Sequence, residues 1–296
     1  MSEPRSVVIT GASRGLGFAS AKHLYTQGWH VIAAMRTPET AMEHLRAETG
    51  ARDDDGRLTG VALDLTDPAS VAAAAKVIEE VVGAPYAIVH NAGISAAGMV
   101  EETPISLWEK MFQTMIFGPV QLTNALLPTM RANGRGRIVM VSSAGGVRGM
   151  PATAPYSAVK GALERWAESL AGEVAAFGIG VTVLVTGTYD TDIITDAGTT
   201  DCRNFDGPYA RHHATMDKRG RLAMKYAARS PQRFAVGLAK ALESTAPFAR
   251  RAVGPDARML LVMNRILPSV ALHNGTRLIM GLPRSGGLTH QESDNG

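Results

Sequence analysis

Short apolar blocks alternate with longer stretches of helical period along most of the chain. Residues 7–10, 30–35, 61–64, 87–90, 137–142 and 181–186 read as six strands. Their apolar residues run consecutively instead of at every second position, the pattern of strands covered on both faces. Between them, residues 16–27, 68–82, 106–131 and 155–177 read as helices. This alternation predicts an α/β fold: a doubly wound parallel sheet with helices on both faces, in three αβα layers and with right-handed crossovers.

Two segments break the rhythm. Residues 51–60 contain Asp53-Asp54-Asp55-Gly56 and are expected to form a solvated turn. Residues 190–229 are polar, rich in Gly, Arg and His, and lack strand character. An insertion of that length inside a compact domain suggests a lid. We expect it to span about residues 188–230 and to be helical around 210–229. A helix beginning near Pro231 and a helical extension over about 255–282 complete the chain, with no internal repeat.

Composition narrows the class only a little. Hydrophobic residues are 45% and charged residues 19% of 296, as in ordinary globular domains. The net charge of +3 is too small to argue for nucleic acid and suits an anionic cofactor equally well. One cysteine, Cys202, excludes an internal disulfide and agrees with a cytoplasmic setting. No signal peptide and no run of about 20 apolar residues is visible, so no spanning helix is expected. Residues 259–272 are the most apolar long segment, interrupted by Asn264, Arg265 and Pro268; peripheral membrane contact there is a secondary expectation.

Candidate chemistry begins after the first strand. Thr10-Gly11-Ala12-Ser13-Arg14-Gly15-Leu16-Gly17 joins that strand to a helix start. Glycines allow a ligand to approach the backbone, and the first amides of a helix favour an anion such as a pyrophosphate. Further on, Asn91-Ala92-Gly93 ends the fourth strand, and Ser143 lies thirteen positions before Tyr156. Tyr156 and Lys160, four apart in a helical stretch, share a face.

The set, in this order, resembles the short-chain dehydrogenase/reductase family over roughly residues 6–193. The resemblance implies a Rossmann-type sheet and one dinucleotide-binding and catalytic domain over residues 1–296. By the same resemblance Gly11, Gly15 and Gly17 line the cofactor pyrophosphate, and Ser13 and Arg14 of the same turn also bind the cofactor. Asn91 and Gly93 lie near its ribose, and Asn91 helps tie the fourth strand to the first. Asp64 meets the adenine, or instead caps the helix before Pro68. Gly187 and Thr191 match the family turn after the sixth strand, with Thr191 facing the nicotinamide carboxamide or capping a helix. Thr186 stands where the family commonly has proline, a change expected to loosen that turn. No metal site is implied.

Cofactor choice turns on the end of the second strand. Family members that prefer NAD usually place an acid there to bind the ribose 2′-hydroxyl. This chain has Met35 followed by Arg36, whose guanidinium suits a 2′-phosphate, and Arg14 adds a second cation. NADP(H) is therefore expected over NAD(H).

The implied reaction interconverts an alcohol and its carbonyl. Tyr156 exchanges the proton, Lys160 favours the phenolate, and Ser143 holds the substrate oxygen. One departure matters: Met115 occupies the slot of the asparagine that many relatives use, three before Gly118. Methionine lacks the amide's hydrogen bonds, leaving Thr114 or a water to compensate. A cofactor-binding regulatory homologue without turnover is the alternative this raises.

Residues 94–100 and 144–150 are small and mostly apolar, including Ala96, Ala97, Met99, Val147 and Met150, and suit a lipophilic alcohol or ketone. Arg148 is the exception, facing an acidic substrate group or solvent. Residues 253–258 loosely resemble the steroid and retinol dehydrogenase branch. Arg211, His212, His213, Lys218, Arg219 and Arg221 admit another substrate, a 3-oxoacyl carrier protein or coenzyme A thioester, or are a solvated lid face. The resemblance further implies a homo-oligomer paired through the fourth and fifth helices.

Overall fold

The computed structural model describes residues 5–191, 199–283 and 285–286. Residues 192–198, part of the expected lid, lie outside them. The first half runs β1 (Ser6–Thr10), α1 (Gly15–Thr26), β2 (His30–Met35), α2 (Pro38–Thr49), β3 (Leu58–Ala62), α3 (Pro68–Val82) and β4 (Ala87–His90). There follow β5 (Ser95–Ala97), α4 (Ile105–Phe112), a π-helical turn (Gln113–Phe117), α5 (Gly118–Ala132) and β6 (Gly136–Ser143). The short α6 (Ala144–Val147) leads into α7 (Ala154–Val174) and β7 (Ile179–Thr186). Last come β8 (Thr199–Asp201), α8 (Ala210–Ala227), α9 (Pro231–Leu242), β9 (Phe248–Val253), α10 (Pro255–Ile266) and α11 (Ser269–Met280).

Seven strands form one parallel sheet in the order β3-β2-β1-β4-β6-β7-β9. The two-residue alternation of side chains explains why the strands read as solid apolar blocks. Val8, Ile32, Ile88, Ile138, Met140, Val181 and Val183 face one buried cluster. Their neighbours Val7, Ile9, Val31, Val89, Val139, Val141 and Leu184 face another across the sheet. Both faces of the central strands are covered, so most of their positions are apolar.

Three boundaries differ from expectation. β3 begins inside the expected turn, because Leu58, Thr59 and Gly60 pair with Val31, Ile32 and Ala33 of β2. The expected helix over 106–131 is broken in register by the π-helical turn, although the chain stays helical throughout. A seventh strand, β9, joins the sheet edge beside β7. Its sequence, Phe-Ala-Arg-Arg-Ala-Val, has two arginines at its centre and no apolar run. Both leave the sheet for specific partners. Arg250 reaches Glu164, and Arg251 reaches Ser244 Oγ at 2.9 Å.

Candidate active site and cofactor groove

In a parallel sheet the carboxyl ends of all strands lie on one edge. Strand order reverses between β1 and β4, and a crevice at such a reversal is where open α/β sheets bind ligands. The glycine turn leaves β1 at this point. Gly11 has φ 70° and Gly15 φ 57°, backbone conformations that glycine adopts without strain. At Gly17 a Cβ would lie 2.2 Å from the Gly11 carbonyl oxygen and 2.6 Å from Asn91 Nδ2, so only glycine fits. The residue capping α1 is Arg14, whose side chain makes no capping hydrogen bond to the helix. An arginine has no acceptor, so the first amides of α1 are left for an anion. A dinucleotide pyrophosphate fits this cradle.

Asn91 knits the crevice together. Its Nδ2 donates to the Thr10 carbonyl at 2.9 Å and the Gly11 carbonyl at 3.3 Å. Thr10 Oγ1 accepts from the amides of Asn91 and Ala92, both at 3.1 Å. Gly93 continues this bend, half-buried, beyond β4. Thr191 is buried against the same turn: a Cβ on Gly15 would lie 3.5 Å from its Cγ2.

At the far side of β2, Met35 is buried while Arg36 is exposed. Asp64 lies close enough for Arg36 to help lower its carboxyl below the usual range, behind hydrogen bonds from Thr66. Those bonds, from Thr66 N at 2.8 Å and Thr66 Oγ1 at 2.7 Å, close a local turn. Asp64 is not the helix cap. Asp67 is, its Oδ1 accepting from Ala69 N at 2.9 Å.

Ser143 ends β6, two strands from the glycine turn, and Tyr156 and Lys160 rise from the first turns of α7 behind it. Burial pushes the Tyr156 phenol up, and its hydrogen bond with Ser143 offsets part of that. Lys160 Nζ donates to the Val141 carbonyl at 2.8 Å and sits 5.6 Å from the Tyr156 ring centroid. Burial pulls its ammonium down to about 8, while the Glu164 carboxylate one turn away pulls up. The three side chains expected to act together do converge.

Three side chains have partners the sequence did not suggest. The Ser142 hydroxyl binds Glu164 Oε1 at 2.7 Å and plays no part beside Tyr156. The Thr186 hydroxyl donates to the Ser142 carbonyl at 2.8 Å and ties β7 to β6. Asp256 accepts from Thr188 N at 2.6 Å and pairs with Arg229 at 3.1 Å. Burial raises the Asp256 carboxyl, and its hydrogen bonds from Thr188, Ala257 and Arg229 outweigh that and hold it low. A Cβ on Gly187 would lie 2.0 Å from Asp256 Oδ1, so a glycine there admits the carboxylate.

These contacts join residues 187–190 to Arg229 and Asp256. Arg229 N donates to the Thr188 carbonyl at 3.2 Å and Asp190 N to the Arg229 carbonyl at 2.9 Å. Further along, β8 pairs with β5, and His213 Nε2 lies 2.9 Å from Glu102 Oε1. His213 is therefore fully buried and no part of a basic face. Arg148 Nη2 donates to the Ser269 carbonyl at 2.9 Å, a partner the sequence did not suggest. Met115 is buried with Ala96, Leu107, Met111 and Val159. The Thr114 hydroxyl donates to the Lys110 carbonyl at 2.8 Å.

Comparison with known proteins agrees with this geometry. The short chain dehydrogenase family matches residues 5–201. The uncharacterized oxidoreductase YusZ of Bacillus subtilis is 37% identical over 187 residues, 63% of this chain and 65% of the relative. A short-chain dehydrogenase from Streptomyces avermitilis superimposes with TM-score 0.79 at 30% identity, covering 95% of this chain and 98% of that one. An alcohol dehydrogenase from Thermococcus sibiricus, solved with 5-hydroxy-NADP, shares the fold at 20% identity and TM-score 0.67, covering 85% of this chain and 97% of that one.

The sheet reversal, the glycine cradle and the convergence of Ser143, Tyr156 and Lys160 make this crevice the candidate active site. The chain belongs to the short-chain dehydrogenase family. Its match to YusZ spans just under two thirds of that relative's length.

Proposed function

We propose that the protein is an NADP(H)-dependent oxidoreductase that interconverts a lipophilic alcohol and its carbonyl. The observation that carries this reading is the position of Lys160, whose Nζ is held by the Val141 carbonyl at 2.8 Å and lies 5.6 Å from the Tyr156 ring centroid, with Ser143 beside the phenol. When bound, the nicotinamide accepts or supplies the hydride. The chain's own residues handle the oxygen and the proton. Ser143 Oγ hydrogen-bonds the substrate oxygen, and Tyr156 Oη gives it a proton in reduction or takes one in oxidation. The Lys160 ammonium stabilises the resulting phenolate.

Gly11, Ser13, Arg14, Gly15 and Gly17 form the pyrophosphate cradle, with Asn91 and Gly93 beside the ribose. Arg36 binds the 2′-phosphate: Met35 leaves no carboxylate there to repel it, and the guanidinium is exposed at the end of β2. Asp64 meets the adenine, and Gly187 and Thr191 bound the nicotinamide side. The apolar walls around Met99, Val147 and Met150 favour a hydrophobic substrate of steroid or retinoid kind over a charged thioester. We further read residues 1–296 as one catalytic domain acting as a homo-oligomer in the cytoplasm. No helix among the described residues is long and apolar enough to cross a membrane.

Met115 favours a second reading, a cofactor-sensing homologue with little turnover, because its buried apolar setting offers no amide to hold a relay water. A panel of lipophilic ketones and alcohols with NADPH and NADP, followed by absorbance of the reduced ring, decides between them. Turnover supports the oxidoreductase. Tight cofactor binding with no hydride transfer to any member supports the sensor.

A further inference from the structure

Helices α10 and α11 leave an apolar face uncovered. On α10, Met259, Val262 and Ile266 recur at the spacing of one helical stripe and are 62%, 53% and 68% exposed. Leu267 and Val270, 38% and 72% exposed, carry the stripe across the Pro268 corner. Large apolar side chains clustered this way are not the scattered singles of an ordinary surface.

Charge says what covers this face. Arg258 and Arg265, both exposed, alternate with the apolar residues of the α10 stripe. Arg277 lies on α11, and no Asp or Glu occurs between Asp256 and Glu292. Asp256 itself is held by Arg229 and Thr188 N. The neighbouring helix α8 adds Arg211, Lys218, Arg219, Arg221 and Lys225 against the single acid Asp217. Arg219 grips the last carbonyls of α11, at Leu278 and Ile279.

From this combination we infer that α10 and α11 lie on an anionic lipid surface, their apolar stripe in the acyl boundary and their arginines among the headgroups. A second copy of the chain fits less well. In a two-fold interface the same patch would meet itself, setting arginine against arginine with no acid to separate them. Each helix has twelve residues, too few to span a bilayer and enough to lie in its interface. The face also adjoins the loop over residues 144–150, since Arg148 binds the Ser269 carbonyl and α6 packs on α10. A hydrophobic molecule leaving the bilayer there meets that loop first. The lipid contact itself does not depend on the proposed reaction.

Sedimentation of the full chain with vesicles tests it directly. Phosphatidylglycerol–phosphatidylcholine vesicles should carry the protein down, and pure phosphatidylcholine much less. Raising salt should release it. The triple variant Val262→Asp, Ile266→Asp, Val270→Asp should lose at least ten-fold in partition while its circular dichroism and Tm stay those of the parent, because all three positions are exposed. Replacing Arg258 and Arg265 by Gln should abolish the preference for anionic vesicles. The proposal is overturned by absence of binding at low salt, by unchanged binding of the triple variant, or by a triple variant that instead converts an oligomer to monomer. The readout is partition, so an enzyme without detectable turnover still gives an answer.

Discussion

Lys160 and Glu164 stand one turn apart on α7, and the glutamate is held in the protein interior by Ser142 Oγ at 2.7 Å and by Arg250. Its carboxylate opposes the burial that pulls the Lys160 ammonium down to about 8. The charge on Lys160 near neutral pH thus depends on a glutamate that touches neither the phenol nor the glycine cradle. If the ammonium supports the Tyr156 phenolate, turnover should fall as pH rises through the lysine's titration. Glu164→Gln removes the influence that raises the lysine, so its titration moves lower and the alkaline fall should begin at lower pH. Rate–pH profiles of parent and variant check this. Superimposable alkaline limbs would show that the glutamate is only a tether.

Cofactor preference is predicted to rest on Arg36. A hydrogen bond to a charged group contributes ~1.5–3 kcal/mol, so Arg36→Asp should weaken NADPH about ten- to a hundred-fold. NADH, without the 2′-phosphate, should change little. Fluorescence titration of both cofactors measures the ratio, and equal losses would rule out the phosphate contact.

His90 is buried at the end of β4, its Nε2 2.8 Å from Thr123 Oγ1, and burial holds it down to about 3. An unfolded histidine titrates near 6.5. Below that value the unfolded chain takes up a proton that the folded chain refuses. Stability from this group is therefore complete above about pH 6.5 and declines as pH falls towards 3, by at most ~1.4 kcal/mol per pH unit. Denaturant unfolding between pH 7 and 5 should show the slope, and His90→Asn should flatten it. An identical slope in the variant would mean that another group is responsible.

Much of the frame was legible because burial on both sheet faces writes solid apolar blocks into β1, β2, β4, β6 and β7. The glycine turn was equally plain, since it depends on local geometry, whereas Ser143, Tyr156 and Lys160 stood out through the resemblance to the short-chain dehydrogenase/reductase family. What escaped was set by distant partners. β9 is an edge strand whose arginines answer Glu164 and Ser244, acceptors contributed by other elements. Asp256 reads as an ordinary first-turn acid, yet it fastens Thr188 and Arg229. The burial of His213 follows from Glu102, more than a hundred residues earlier. Pairings of that range leave no periodic trace, and the basic look of 211–221 conceals one of them.

The proton donor is the centre of the proposed chemistry, and Tyr156→Phe tests it most directly, read as hydride transfer and cofactor affinity on the same preparation. The phenol hydroxyl is lost while the ring stays packed over Lys160. Turnover should fall by ~10²–10⁴-fold with NADPH affinity nearly unchanged. Turnover within a few fold of the parent would contradict the assignment of the proton to Tyr156.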